Sequence, residues 1–162
     1  KISLLGSTAV ALTGGSVLWS WWNTPAASPY QLLNAEEAQM VQALAEAAFP
    51  KGKTLDLSGK EAKLDYFFDR LLFGMTTENQ KLLKLLLQAL NHLAILSQGK
   101  YFLSCSEEIQ QNLVEKWLTD DSYHFRSAMQ SVIVLLSMGY TSHPKASKLL
   151  GQYFRRQRGD PA

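Results

Sequence analysis

Residues 33–50 read LNAEEAQMVQALAEAAFP. Asn34 is a strong N-cap residue, and Glu37 stands three positions on, the spacing of a capping box. Met40, Val41, Leu44, Ala45, Ala48 and Phe49 then recur at i, i+1, i+4 and i+5, which gathers them on one side of a helix. Pro50 lacks the N–H that would continue it. One stretch therefore carries a start, an inward face and a stop, and it predicts a helix rather than a strand.

The same grammar repeats down the chain. Ser58 with Glu61 opens a helix whose face is Leu64, Phe67, Phe68, Leu71 and Leu72, closed by Gly74. Thr77 with Gln80 opens a longer one, running to about Gln98 before Gly99. Leucines surround this third helix (Leu82, Leu83, Leu85, Leu86, Leu87, Leu90, Leu93, Leu96), which predicts the most buried, central element. Ser104 with Glu107 caps a helix carrying Ile109, Leu113 and Trp117. Asp120 or Asp121 caps another, with Phe125, Met129, Val132, Ile133 and Leu136 inward and Gly139 at its end. Ser142 or His143, with Pro144 at the first helical position, starts the last. No segment alternates with period two for long enough to form a strand. The class is all-α: a compact bundle of about six helices preceded by one N-terminal transmembrane or signal-anchor helix.

That N-terminal element rests on residues 2–22, which carry no charge. At helical rise they span about 30 Å, the thickness of a bilayer core. Trp19, Trp21 and Trp22 cluster where an interfacial aromatic belt would sit. Ser7, Ala11 and Gly15 recur every fourth position and form a small-residue face of the kind that admits a neighbouring helix. A signal-peptide core also favours such residues, but Thr24-Pro25-Ala26 makes a poor cleavage site. Lys1 before the run, with the first acidic residues after it, places the N-terminus in the cytoplasm and the rest outside. The expected organisation is an anchor over residues 1–22, a linker over 23–33 (two prolines among small and polar residues), a helical domain over 34–158 and a tail over 159–162.

A net charge of +2 is too mild to argue for nucleic acid, and with 46% hydrophobic residues the chain is not disordered. Lys145, Lys148, Arg155, Arg156 and Arg158 crowd the C-terminal end, as a solvated terminus or a contact with anionic headgroups or an acidic partner. Cys105 is the only cysteine, so no disulfide forms within the chain. It is either a buried thiol or an intersubunit cysteine. No phosphate-binding loop, dinucleotide fingerprint, nucleophile elbow or metal-ligand spacing occurs. His92, inside the leucine-rich helix, could serve as an axial haem ligand, although a hydrogen-bonded core or edge histidine explains it as well. Asp65 and Asp69, four apart beside Arg70, read as a solvated face or a partner-facing ion pair. The aromatic residues exceed what so small a domain readily buries. Tyr66 and the helix-end Tyr101, Phe102 and Tyr140 are therefore the candidate partner contacts, together with Ser7, Ala11 and Gly15.

Several pieces, in order, carry a family resemblance. Leu33-Asn34-Ala35-Glu36-Glu37, followed by ALAEAAFP at 43–50, resembles the opening of the gluconate 2-dehydrogenase subunit 3 family, the small or gamma subunits of membrane-bound FAD-dependent sugar and alcohol dehydrogenases. LDYFFD at 64–69, GKYFLS at 99–104, Leu113 to Trp117, Phe125-Arg126, Gly139-Tyr140 with His143-Pro144, and Leu150-Gly151 follow in the order that family shows. Together they cover roughly residues 32–154. The resemblance implies a non-catalytic subunit that escorts and stabilises a flavoprotein of the glucose–methanol–choline type and holds no cofactor itself. FAD would lie on that catalytic partner and haem c on a cytochrome c subunit. It also implies twin-arginine export to the periplasm, since Lys1-Ile2-Ser3-Leu4-Leu5 looks like the tail of such a signal. The retained hydrophobic run departs from the family pattern and adds membrane anchoring through residues 2–22. A haem-binding electron-transfer subunit using His92, and a structural adaptor of another membrane complex, stand beside this reading.

Overall fold

The computed structural model describes residues 25–52 and 56–158, the last six as backbone only. Six α-helices, and no strand, occur among the described residues: α1 Ala35–Ala48, α2 Leu64–Phe73, α3 Thr77–Gln98, α4 Glu107–Leu118, α5 Tyr123–Ser142 and α6 Pro144–Arg158. A 3₁₀ turn, Phe102–Ser104, joins α3 to α4. None of these helices is long and apolar enough to cross a membrane. The anchor over residues 2–22, with its face of Ser7, Ala11 and Gly15, lies outside the described residues.

Helix α1 forms as its sequence dictates. The Glu37 N–H donates to Asn34 Oδ1 and the Asn34 N–H to Glu37 Oε2, both at 2.9 Å, a complete capping box. Its stripe (Met40, Val41, Leu44, Ala45) is buried to 1% exposure or less. Helices α2, α3, α4 and α5 all pack against it. The central element is thus α1, and the expectation that α3 would be central is corrected. Of α3's leucines, only Leu87 and Leu90 are fully buried, while Leu82 and Leu96 remain 63% and 84% exposed.

Several helix ends also shift. Ser58 and Glu61 do exchange their bonds, Glu61 N–H to Ser58 Oγ at 3.2 Å and Ser58 N–H to Glu61 Oε2 at 3.1 Å. They close a turn over residues 59–63, not the helix itself. Lys63 takes a left-handed conformation (φ 52°), which breaks the path before α2 starts at Leu64. Gly59 lies so close to α1 that a Cβ would fall 2.1 Å from the Ala45 carbonyl oxygen. The N-caps of α3, α4 and α5 are Thr76, Ser106 and Ser122. Helix α5 runs past Gly139, which serves close packing against the Phe67 ring rather than termination. Gly99 ends α3 at φ 67°, with its N–H on the Ile95 carbonyl.

Phe68, Phe102, Leu44, Leu64, Leu72 and Met129 fill the core. Trp117 packs on Phe102, ring centroids 5.4 Å apart. Phe49, just past α1, stacks on Tyr140 of α5 at 4.6 Å.

Candidate functional site

Upstream of α1, residues 27–33, the later part of the expected linker over 23–33, are held by hydrogen bonds. The Ala27 N–H bonds the Leu33 carbonyl, and the Tyr30 N–H bonds that of Ala27, closing a strap that contains a cis Ser28–Pro29 bond. This strap lies along α2. Asp69 accepts three successive backbone N–H groups: Gln31 on Oδ2 at 2.8 Å, and Leu32 and Leu33 on Oδ1 at 2.9 Å each. One turn earlier, Asp65 Oδ2 accepts the Tyr30 hydroxyl at 2.6 Å and the Gln42 amide at 2.8 Å. Burial and the adjoining carboxylate hold the Tyr30 hydroxyl far above its ordinary titration range, so it stays a donor.

Asp65 and Asp69 are 2% and 4% exposed, which corrects their reading as a solvated or partner-facing pair. A signal was present in the sequence. On a helical wheel both aspartates continue the arc of Leu64, Phe68 and Leu72. Choosing Phe67 and Leu71 as the inward neighbours rotates that arc away from them.

A second buried polar group ties the strap and α1 to α3. Lys84 Nζ lies 3.2 Å from Glu37 Oε2 and donates to the Leu32 carbonyl at 3.0 Å. Glu37 is fully buried and its Oε1 has no hydrogen-bond partner among the described residues; burial pushes its carboxyl above the ordinary carboxylate range, against the pull of the Asn34 N–H and of Lys84. Asn91 bridges the Glu36 carboxylate at 2.8 Å and the Leu103 N–H at 3.2 Å. Gln110 donates to the Phe102 carbonyl at 2.9 Å. These groups hold backbone and neighbouring helices in place. Nothing in the local sequence marks Lys84, Gln88 and Asn91 as buried, because they sit among leucines on α3.

The remaining candidates separate. Tyr66 and Tyr101 are 42% and 47% exposed, Tyr66 against Tyr30 and Tyr101 edge-on to His92. Phe102 and Tyr140 are buried, which corrects their placement among exposed helix-end aromatics. Phe102 turns in because the 3₁₀ turn aims it at Trp117. Tyr140 turns in because its hydroxyl reaches the Leu57 carbonyl at 2.6 Å. Cys105 is buried, its thiol donating to the Tyr101 carbonyl at 3.4 Å.

His92 Nδ1 lies 2.8 Å from the Gln88 carbonyl of its own helix. The depression beside it, about 360 Å³, is lined by Glu36, Gln88, Asn91, Tyr101, Leu103 and Ser104. A porphyrin needs apolar walls, and this mostly polar lining does not fit one. Among the described residues, no group of three His, Cys, Asp or Glu side chains is arranged to hold a metal ion.

Fold and surface together define a small all-α domain that spends its buried carboxylates on its own backbone and side chains and leaves large apolar side chains outside, as a subunit of a larger assembly does. The family model for gluconate 2-dehydrogenase subunit 3 matches residues 35–153, and the chain belongs to that family, one of accessory subunits of dehydrogenase complexes. Comparison with curated proteins and with solved structures gave no significant match.

Proposed function

We propose that this chain is the non-catalytic small subunit of a membrane-bound, periplasmic, flavin-dependent dehydrogenase of the glucose–methanol–choline type. It escorts and stabilises the catalytic subunit, which carries the FAD, and a cytochrome c subunit passes the electrons on. Residues 2–22 act as an export signal kept as an anchor, with the N-terminus on the cytoplasmic side. The observation that carries this reading is the family match over residues 35–153, which takes in α1 to α5 whole and most of α6. The clasp supports it: Asp65, Asp69 and Glu37, the buried carboxylates, hold the strap, the α1 cap and Lys84. That is work for a scaffold.

Co-expression with the flavoprotein subunit tests the reading. The two should copurify from detergent-solubilised membranes, and the catalytic subunit made without its partner should be recovered poorly and without flavin. A catalytic subunit that reaches full flavin content and full yield alone would overturn it.

A further inference from the structure

Helix α3 has apolar residues on two sides: Leu87, Leu90 and Ala94 are buried against the rest of the domain, and a second set faces outward. Its inner side buries Lys84, Gln88 and Asn91, at 9%, 5% and 3% exposure, while Leu82 and Leu96 stand in solvent. At 3.6 residues per turn, Leu82, Leu85, Leu86, Ala89, Leu93 and Leu96 fall within about 100° of the helix circumference, a stripe about 21 Å long. Leu82, Ala89 and Leu96 are exposed and the other three half-buried. A helix with apolar residues on two sides calls for cover on both. Among the described residues, its neighbours cover one side only.

We propose that this leucine stripe is the surface on which the catalytic dehydrogenase subunit docks, an inference that rests on the function proposed above. The stripe itself carries no charge, so it complements an apolar face of a folded partner. Its ends are of mixed sign, Glu78 with Lys81 at one and Lys116 with Asp120 at the other. An anionic bilayer would select a cationic border instead. At the Leu96 end the stripe opens into a groove of about 310 Å³ whose apolar lining is Leu93, Leu96, Trp117 and Phe125. A groove of that size accepts one large apolar side chain of the partner as an anchor.

The test uses the co-expressed pair with Leu82→Glu, Leu96→Glu and, on a different helix, the comparably exposed Val134→Glu (58%). Because Leu82 and Leu96 already face solvent, helical content and unfolding midpoint should stay at wild-type values. Recovery of the catalytic subunit should fall roughly tenfold or more for the two α3 variants and hold for Val134→Glu. Loss with Val134→Glu alone would place the interface elsewhere and overturn the assignment while sparing the proposed function. Failure of the unaltered pair to copurify would sink the proposed function, and the docking surface with it. A wild-type chain that self-associates, or binds anionic vesicles, through the same leucines would give the stripe to a second copy or to lipid and overturn the proposal.

Discussion

The N–H of Leu33 donates to Oδ1 of Asp69 at 2.9 Å, across 36 positions of sequence. With Gln31 and Leu32 on the same carboxylate, one side chain fixes the entry to α1. Asp69→Ala strands three donors at once. A buried donor left unpaired costs about 1–3 kcal/mol, and the strap is only partly buried, so a loss of about 3 kcal/mol in urea unfolding is expected. Asp69→Asn keeps one acceptor and should lose less. A change within about 0.5 kcal/mol for the alanine variant, the size of an ordinary surface substitution, would mean the clasp contributes nothing.

Glu37 gives the fold a pH signature. Its folded carboxyl titrates above the ordinary 4.5 because burial disfavours the charge. A raised carboxyl binds its proton more tightly folded than unfolded, so its contribution is fully present below pH 4.5 and is lost as pH rises through the folded value. Stability of the wild type relative to Glu37→Gln should therefore rise on acidification across that window. Denaturation midpoints measured at several pH values check it; parallel profiles for the two proteins would refute it.

Two glycines make a paired test of packing. Gly59→Ala would drive a Cβ to 2.1 Å from the Ala45 backbone oxygen, and backbone on both sides leaves nothing to swing away. Gly139→Ala meets the Phe67 ring at 2.5 Å, a side chain that can rotate. Overpacking costs about 1–3 kcal/mol, and Gly59→Ala should sit at or beyond the top of that range while Gly139→Ala stays lower. Thermal melts of the two variants give the order directly, and the reverse order would contradict the close approach of residue 59 to α1.

Cys105 should behave as an inert thiol. It is 9% exposed and bonded to the Tyr101 carbonyl, so alkylation should be slow until the protein unfolds. Migration on a non-reducing gel should be unchanged by reductant. A heavier band that reductant removes would make it an intersubunit cysteine after all.

Much of the architecture is legible in local sequence, because capping boxes and apolar periodicity are local. Asn34 with Glu37, and Pro144 after His143, lie where the residues place them. Legibility fails where partners are distant. Asp65 and Asp69 look like an ordinary surface pair until residues 31–33 return alongside α2. Lys84 looks like a solvated lysine until Glu37 faces it. The rank of α1 over α3 fails for another reason: leucine content reports the burial a helix needs, not which molecule provides it. Tyr140 and Phe102 turn inward against expectation because proximity to a helix end says nothing about which way a ring turns.

The strap also sets a leash. If residues 23–33 swung freely, they could separate the domain from an upstream anchor by about 38 Å at full extension. With the chain fastened from Ala27 onward, residues 23–26 allow at most about 14 Å. An anchor at residues 2–22 would then keep the start of the strap within about 14 Å of the bilayer, whichever way the domain turns.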